Sequence, residues 1–113
     1  LATEGTLKTG VYNKFFDKNF ELLKPNNKLQ INSVNKAIKF VKMGKIKEAE
    51  KAIKPAVNYL MKLKCKKIIL GCTELPIAIF AFKSFKKIKL SKIFLDPNLM
   101  LAHVSMKKYL KKQ

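Results

Sequence analysis

Residues 71–74, Gly-Cys-Thr-Glu, form the segment of this chain whose residue types are best suited to a chemical reaction. They follow a short apolar run at 67–70 and precede Leu75-Pro76, which open a second apolar run. Gly71 allows a tight backbone turn there. A thiol at such a turn lies near free backbone N–H groups and the positive end of a helix dipole, which lower its pKa and favour the thiolate. The turn therefore predicts a nucleophile or proton-transfer base, with Thr73 and backbone N–H groups suited to hold a carboxylate.

The same spacing also fits a cysteine that only fills space, because free cysteine is among the most buried residue types. A nucleophilic cysteine usually needs a nearby base. The one histidine, His103, lies far along the chain in the last predicted helix, and we interpret it as a solvated or packing residue. Cys65, between two lysines at a predicted helix end, is interpreted as structural. Spacing alone leaves both interpretations of Cys72 open.

The elements that must position this turn alternate between helix and strand. Residues 1–6 are typical of the place where a strand runs into a helix N-terminus, and Pro55 should bend or interrupt the helix that contains it. Such alternation predicts an α/β fold in one structural unit, with a parallel sheet flanked by helices and ligands bound beyond the carboxyl ends of its strands. The apolar spacing predicts helices over 5–18, 29–41, 46–63 and 74–82, strands over 67–70 and 92–95, a loop over 83–90, and a final helix from Asp96-Pro97.

Composition excludes several classes of protein. A chain of 113 residues with 48% hydrophobic residues is typical of one globular domain. Its longest apolar run, 75–82, is far shorter than the roughly 20 residues that a membrane span needs. Two cysteines outside a CxxC spacing and one histidine make neither a disulfide scaffold nor a zinc site. We therefore expect a cytoplasmic protein without a metal or a membrane contact.

The charge is carried entirely by lysine. The formal net charge is +18, and all 25 basic residues are lysine, with no arginine. Such a charge suggests binding to nucleic acid or a membrane surface, but specific base and phosphate recognition favours the bidentate guanidinium of arginine. We interpret the lysines as a solvated surface. Opportunistic binding of acidic polymers and a dedicated nucleic-acid site are the alternatives.

Four segments of the chain carry a resemblance to a known family. The segment "IILGCTELP" (68–76) closely resembles the second cysteine motif of the cofactor-independent aspartate/glutamate racemases. The opening "LATEGT" followed by "GVY" resembles that family's strand-to-helix loop. "FVKMGKIKEA" (40–49) is similar to the stretch before its long helix, and "FLDPNLMLA" (94–102) to its last strand and helix. The resemblance covers the whole chain and implies the carboxyl-terminal half of such an enzyme, in its aspartate-specific or broad-specificity branch.

The resemblance implies a two-base mechanism without a cofactor. One cysteine thiolate removes the α-proton of an amino acid, and a second cysteine, as thiol, delivers a proton to the opposite face. Cys72 matches the second of the two cysteines, and Thr73 matches a residue that helps to hold the α-carboxylate of the substrate. The substrate would be a small dicarboxylic amino acid. The loop residues that would close over the same site are Thr3, Gly5 and Thr6.

The resemblance implies a role in the site for two further residues, and each of them also has an alternative interpretation. Lys42 matches a lysine that contacts the side-chain carboxylate in aspartate racemases, and it is otherwise one more surface lysine. Glu74 either bonds the start of the following helix or orients the site.

The family pattern is incomplete in this chain. The first domain, with its cysteine, has no counterpart, and the chain opens at the very end of the second domain's first strand. Cys65 cannot replace the missing cysteine, because it is predicted at the opposite end of the strand that leads to Cys72. We therefore expect an incomplete racemase fragment that is inactive as a racemase alone, although proton exchange from a single face of the substrate is conceivable. Residues 96–113 would pack on the missing domain, and the family implies a homodimer or pairing with an N-terminal half.

Three other classes of function remain. A related cysteine-dependent decarboxylase or isomerase would use the same turn. A non-catalytic remnant would bind dicarboxylic amino acids weakly and would be insensitive to Cys72→Ser. A nucleic-acid binder would show affinity that falls steeply with salt and does not depend on Cys72.

Overall fold

The computed structural model describes residues 1–10, 12–15, 19–81 and 93–111. The described part is mostly helical, with a two-stranded parallel sheet. The elements in chain order are α1 (Glu4–Thr9), a 3-10 helix (Tyr12–Phe15), α2 (Asn27–Leu29), a π-helical segment (Gln30–Asn35), α3 (Lys36–Lys42), α4 (Ile46–Lys62), β1 (Ile68–Ile69), α5 (Leu75–Phe80), β2 (Phe94–Leu95) and α6 (Pro97–Lys111).

The two strands pair in parallel, as the sequence predicts, although both are shorter than expected. The paired residues are Ile68 with Phe94 and Ile69 with Leu95. The backbone N–H of Leu70 extends the ladder by donating to the carbonyl oxygen of Leu95 at 2.8 Å. The alternation of helices and strands predicts a parallel sheet with helices on both faces. The structure instead has mainly helices, which pack around this small two-stranded sheet.

Leu1 pairs with the other edge of β1. Its amino nitrogen donates to the carbonyl oxygen of Ile69 at 2.7 Å, and its carbonyl oxygen accepts from the backbone N–H of Gly71 at 2.7 Å. This alternation of donor and acceptor is the pattern of a parallel ladder. Residue 1 thus lies where a neighbouring parallel strand would end, and α1 follows directly.

The core lies between α3, α4, α5 and the sheet. In α4, Ala49, Ile53, Ala56, Val57 and Leu60 are buried at helical spacing, which confirms the predicted amphipathic helix. The helix continues through Pro55 without interruption. The other buried residues of the same core cluster are Val34, Ala37, Ile38, Ile68, Leu70, Leu75, Ala78, Ile79 and Phe94.

The predicted helix over 29–41 is present but not uniform. It begins at Asn27, capped by the Asn26 side chain, and runs as α2, the π-helical segment and α3 to Lys42. In the wide turns of the π-helical segment, the buried Ser33 hydroxyl donates to the carbonyl oxygen of Ala52 and accepts from the backbone N–H of Ala56 at 3.1 Å. Ser33 therefore bridges two α4 residues on either side of Pro55, whose own nitrogen cannot donate.

The first helix is shorter than predicted. The sequence predicts a helix over 5–18, but α1 ends at Thr9, and Gly10 takes a left-handed conformation with φ of 64°. Its N–H donates to the carbonyl oxygen of Leu7, which closes the helix as a glycine cap does. A 3-10 helix follows at Tyr12–Phe15. The helical spacing of the apolar residues continued past Gly10 and concealed this stop.

The last helix begins as predicted and is exposed. The Asp96 carboxylate accepts from the backbone N–H groups of Asn98 at 3.0 Å and Leu99 at 3.4 Å, which is the expected capping geometry. None of the residues of α6 is buried, and several large apolar side chains on it face solvent. Within the described ranges, no helix is both long and apolar enough to cross a membrane. The predicted loop over 83–90 lies outside the described residues.

Candidate functional site

The turn at 71–74 lies beyond the carboxyl end of β1, as the sequence predicts, but the role of Gly71 differs from the expected one. Gly71 does not have a positive φ, so the turn itself does not require glycine. A Cβ there would lie 3.0 Å from the Cβ of Ala2 and 3.1 Å from the carbonyl oxygen of Leu1. Glycine is needed because the opening loop of the chain approaches the turn at this distance. The loop at 1–3 and the cysteine turn are therefore adjacent.

Cys72 is half-buried, and its environment raises the pKa of its thiol. Burial is the largest cause, because it disfavours the charged thiolate. The backbone N–H groups of Leu75 and Glu74 act in the opposite direction. The nearby Glu74 carboxylate, which also accepts a hydrogen bond from the thiol, adds to the rise. The lowered pKa that the sequence predicts is therefore wrong: the N–H groups are present, but burial and a neighbouring negative charge outweigh them.

Glu74 contacts its neighbours in the turn and does not cap α5 with its side chain. Its carboxylate accepts from the Thr73 hydroxyl at 3.0 Å. Burial by itself would raise the pKa of Glu74, but hydrogen bonds from Thr73, from its own backbone N–H and from Cys72, together with the charge of Lys42, lower the pKa. Glu74 is thus an ionised hydrogen-bond acceptor beside the thiol. Its carboxylate contacts both its own backbone N–H at the start of α5 and the Thr73 and Cys72 side chains, so both predicted roles stay predictions.

Lys42 reaches the site from the last turn of α3. Its charge acts on the Glu74 carboxylate, and its side chain also lines a cleft of about 280 Å³ next to the start of α1. Thr3, which caps α1, lies on the other side of that cleft. Lys42 therefore connects the cysteine turn with the opening loop. The lining of the cleft consists of Thr3, Asn35, Ile38, Lys39 and Lys42.

The remaining predicted loop residues, Gly5 and Thr6, lie in the first turn of α1. The Thr3 side-chain oxygen accepts from the Thr6 backbone N–H at 3.2 Å, and the two hydroxyl oxygens are 3.0 Å apart. Thr6 therefore holds the side chain of Thr3 in place through these two contacts. Gly5 is exposed and does not line the cleft.

The other candidate residues lie where the sequence predicts. Cys65 precedes β1, is half-buried and packs against the core, so it lies at the opposite end of the strand from Cys72. Its backbone N–H donates to the carbonyl oxygen of Leu60 at 3.2 Å. His103 is exposed on α6.

Two cleft residues, Asn35 and Lys39, were not predicted from the sequence. They stand seven and three residues before Lys42, on the same face of the helical segment. That spacing could have identified them once Lys42 was singled out. What the sequence does not show is that α1 and Thr3 lie opposite this face.

Replacing Glu74 with glutamine should make Cys72 more reactive. Removal of the carboxylate takes away a negative charge that opposes the thiolate, so the pKa of Cys72 should fall. At pH 8 we expect alkylation of Cys72 by iodoacetamide to accelerate about threefold to tenfold. Peptide mass spectrometry measures the rate at each cysteine, and Cys65 serves as the internal standard. The exposed Glu48→Gln controls for net charge, and an equal rate in Glu74→Gln and Glu48→Gln would contradict the assigned contact.

In residues 1–10, 12–15, 19–81 and 93–111, no three His, Cys, Asp or Glu side chains come together so as to hold a metal ion. The groups that do converge are a thiol, a carboxylate, hydroxyls and an ammonium group, which are suited to proton transfer and to holding an anion. No protein-family model matches the chain, and no solved structure matches it.

Proposed function

We propose that this chain is the carboxyl-terminal part of a cofactor-independent amino-acid racemase of the aspartate/glutamate type. The observation that carries the proposal is the thiol of Cys72, hydrogen-bonded to Glu74 at the carboxyl end of β1. Lys42 lies within electrostatic range of that carboxylate. The resemblance of residues 68–76 to the racemase cysteine motif and the pairing of Leu1 beside β1 support the same proposal.

In this mechanism Cys72 acts on one face of the substrate. Because its pKa is raised, Cys72 rests as a thiol. It delivers its proton to the carbanion at Cα and becomes a thiolate, which the backbone N–H groups of Glu74 and Leu75 stabilise by donating hydrogen bonds to the sulfur. In the reverse direction the thiolate removes the Cα proton and returns to the thiol. The base for the opposite face would be a second cysteine in a domain outside these 113 residues.

The substrate side of the mechanism uses the remaining residues. Thr73 and the neighbouring backbone would hold the α-carboxylate, once the Thr73 hydroxyl leaves Glu74. Lys42 would bind the side-chain carboxylate, which makes aspartate or glutamate the substrate. Thr3, supported by Thr6, would close the site from the opening loop.

The test is the exchange of the α-proton in D₂O. The purified chain is incubated with L- or D-aspartate or glutamate, and deuterium at Cα and the configuration are measured by NMR and chiral chromatography. We expect deuterium incorporation with retained configuration, lost in Cys72→Ser and kept in the matched Cys65→Ser variant. Exchange with inversion would show both bases in this chain and contradict the expectation that it is incomplete. Absence of exchange in the folded protein would overturn the catalytic proposal for the chain.

One observation favours a second candidate function, a dicarboxylic amino-acid-binding remnant. A thiol with a raised pKa is a poor base at neutral pH, whereas the cleft with Lys42 could still hold a carboxylate. Such a remnant would bind aspartate without exchanging its α-proton. Binding would then be the same in the protein and in Cys72→Ser.

A further inference from the structure

The cleft next to the start of α1 contains a lysine that the racemase resemblance does not assign. Four of the five residues that line it come from one helical stretch, at positions 35, 38, 39 and 42. These positions share one face of the helix, since they are three or four residues apart. Lys39 is therefore a neighbour of Lys42 in the same cleft. Both ammonium groups are carried by exposed side chains.

The floor and one wall of the cleft are fixed by the fold. Ile38 is 7% exposed and belongs to the core. The Asn35 side-chain oxygen accepts from the side chain of Gln30 at 2.9 Å, and its amide nitrogen donates to Glu4 at 3.1 Å. Gln30 is itself buried and also donates to the carbonyl oxygen of Ala2 at 2.9 Å. This network joins the π-helical segment to the loop that carries Thr3, so the opening of the cleft is held at a set width.

The charges of the cleft favour an anion. Two like charges one helical turn apart repel each other, and a carboxylate bound between them would relieve that repulsion. Neither Glu4, whose carboxylate accepts from Asn35, nor Glu74, which interacts with Lys42, lines the cleft. The donors in this cleft of about 280 Å³ are the ammonium groups of Lys39 and Lys42. That volume holds a small organic acid and not merely one water molecule.

We infer that Lys39 and Lys42 together bind the side-chain carboxylate of an acidic substrate, with Lys39 as a second specificity-determining residue. This inference rests on the proposed function, because it assigns the cleft to that substrate. Lys42 lines the cleft and also acts electrostatically on the Glu74 carboxylate, whereas Lys39 lies one helical turn before it and lines the same cleft. On this inference the far carboxylate of a dicarboxylic acid lies between the two lysines, and the rest of the molecule would extend past Lys42 toward the cysteine turn.

The experiment uses succinate, which has two carboxylates, and its diamide succinamide, which has none. Neither compound has an amino group at Cα, so neither is a racemase substrate, and binding is measured apart from catalysis. The full chain, labelled with ¹⁵N, is titrated with each compound, and the amide shifts of Thr3, Asn35 and Ile38 are followed. The variants are Lys39→Gln, Lys42→Gln and, as the matched control for charge, Lys51→Gln on the exposed face of α4.

We expect Lys39→Gln and Lys42→Gln each to raise the Kd of succinate about threefold to tenfold, because each removes one charge-assisted hydrogen bond. Lys51→Gln should change it less than twofold, and succinamide, which has no carboxylate, should produce no saturable shifts at the cleft. Equal effects of Lys39→Gln and Lys51→Gln would overturn the inference, as would the absence of saturable shifts at the cleft.

The two proposals fail separately. If succinate binds through Lys39 but aspartate shows no deuterium exchange, the cleft stands as a dicarboxylate site and the catalytic proposal falls. If Cys72-dependent exchange occurs and Lys39→Gln alters neither exchange nor succinate binding, the assignment of Lys39 alone is wrong.

Discussion

Ile53→Ala should lower the free energy of unfolding by about 2–5 kcal/mol, which is the largest loss that we expect from one substitution in this chain. Ile53 is 0% exposed at the centre of the buried face of α4, where α3 and α5 pack against that helix. Removing three carbon atoms there loses their transfer free energy and leaves a cavity in a close-packed core. Urea unfolding followed by circular dichroism measures the change as a shift in the midpoint.

The matched control is Ile77→Ala on α5, whose side chain is 49% exposed. Its loss should stay below about 1 kcal/mol, since about half of the residue's surface is already in water. Equal losses in the two variants would show that α4 does not form the centre of the core. The dependence of the unfolding free energy on urea should remain the same in both, because neither variant alters how much surface unfolding exposes.

Ser33→Ala should cost about 1–3 kcal/mol, although it removes one oxygen atom and no packing volume of note. The Ser33 hydroxyl contacts two backbone groups of α4, the carbonyl oxygen of Ala52 and the N–H of Ala56. Alanine leaves both groups in a buried environment without this partner, and a buried polar group that lacks a partner is costly. The same unfolding measurement reports the loss.

Ser105→Ala, on the exposed face of α6, is the control for the serine-to-alanine change and should be close to neutral. A Ser33→Ala protein as stable as the Ser105→Ala protein would mean that α4 closes its own hydrogen bonds around Pro55 without help. The role assigned to Ser33 would then be wrong.

The sequence predicts the long helix and the last helix well because their signals are local. The apolar spacing of α4 follows from burial on one side, and the Asp96-Pro97 pair marks the start of α6 whatever surrounds it. At Gly10 a single residue ends the helix while the apolar spacing continues, so the two local signals conflict and the spacing predicts a longer helix than the structure has. The wide turns at 30–35 do not interrupt the apolar spacing, so this spacing predicts one uniform helix there.

The chemistry of the candidate site depends on distances between side chains in the fold, and the spacing of residues along the sequence does not give these distances. The sequence places backbone N–H groups beside Cys72, and they are there. It does not show how deeply the thiol is buried or that the Glu74 side chain turns toward it, and these two effects reverse the direction of the pKa shift. Asn35 and Lys39 were missed for a similar reason, because a cleft exists only once α1 lies opposite the helix.

The π-helical segment sets the rotation of everything that follows it. The wide turns take up one more residue than α-helical turns would. Because an α-helix turns about 100° per residue, winding the same residues as a regular α-helix would rotate the downstream face by about that angle. Ile38 would then leave the core, and Lys42 would leave the cleft, although every motif in the chain remained intact. A related sequence with the same number of residues here therefore needs the same wide turns to hold the same ligand, and one that is a residue shorter needs a regular α-helix.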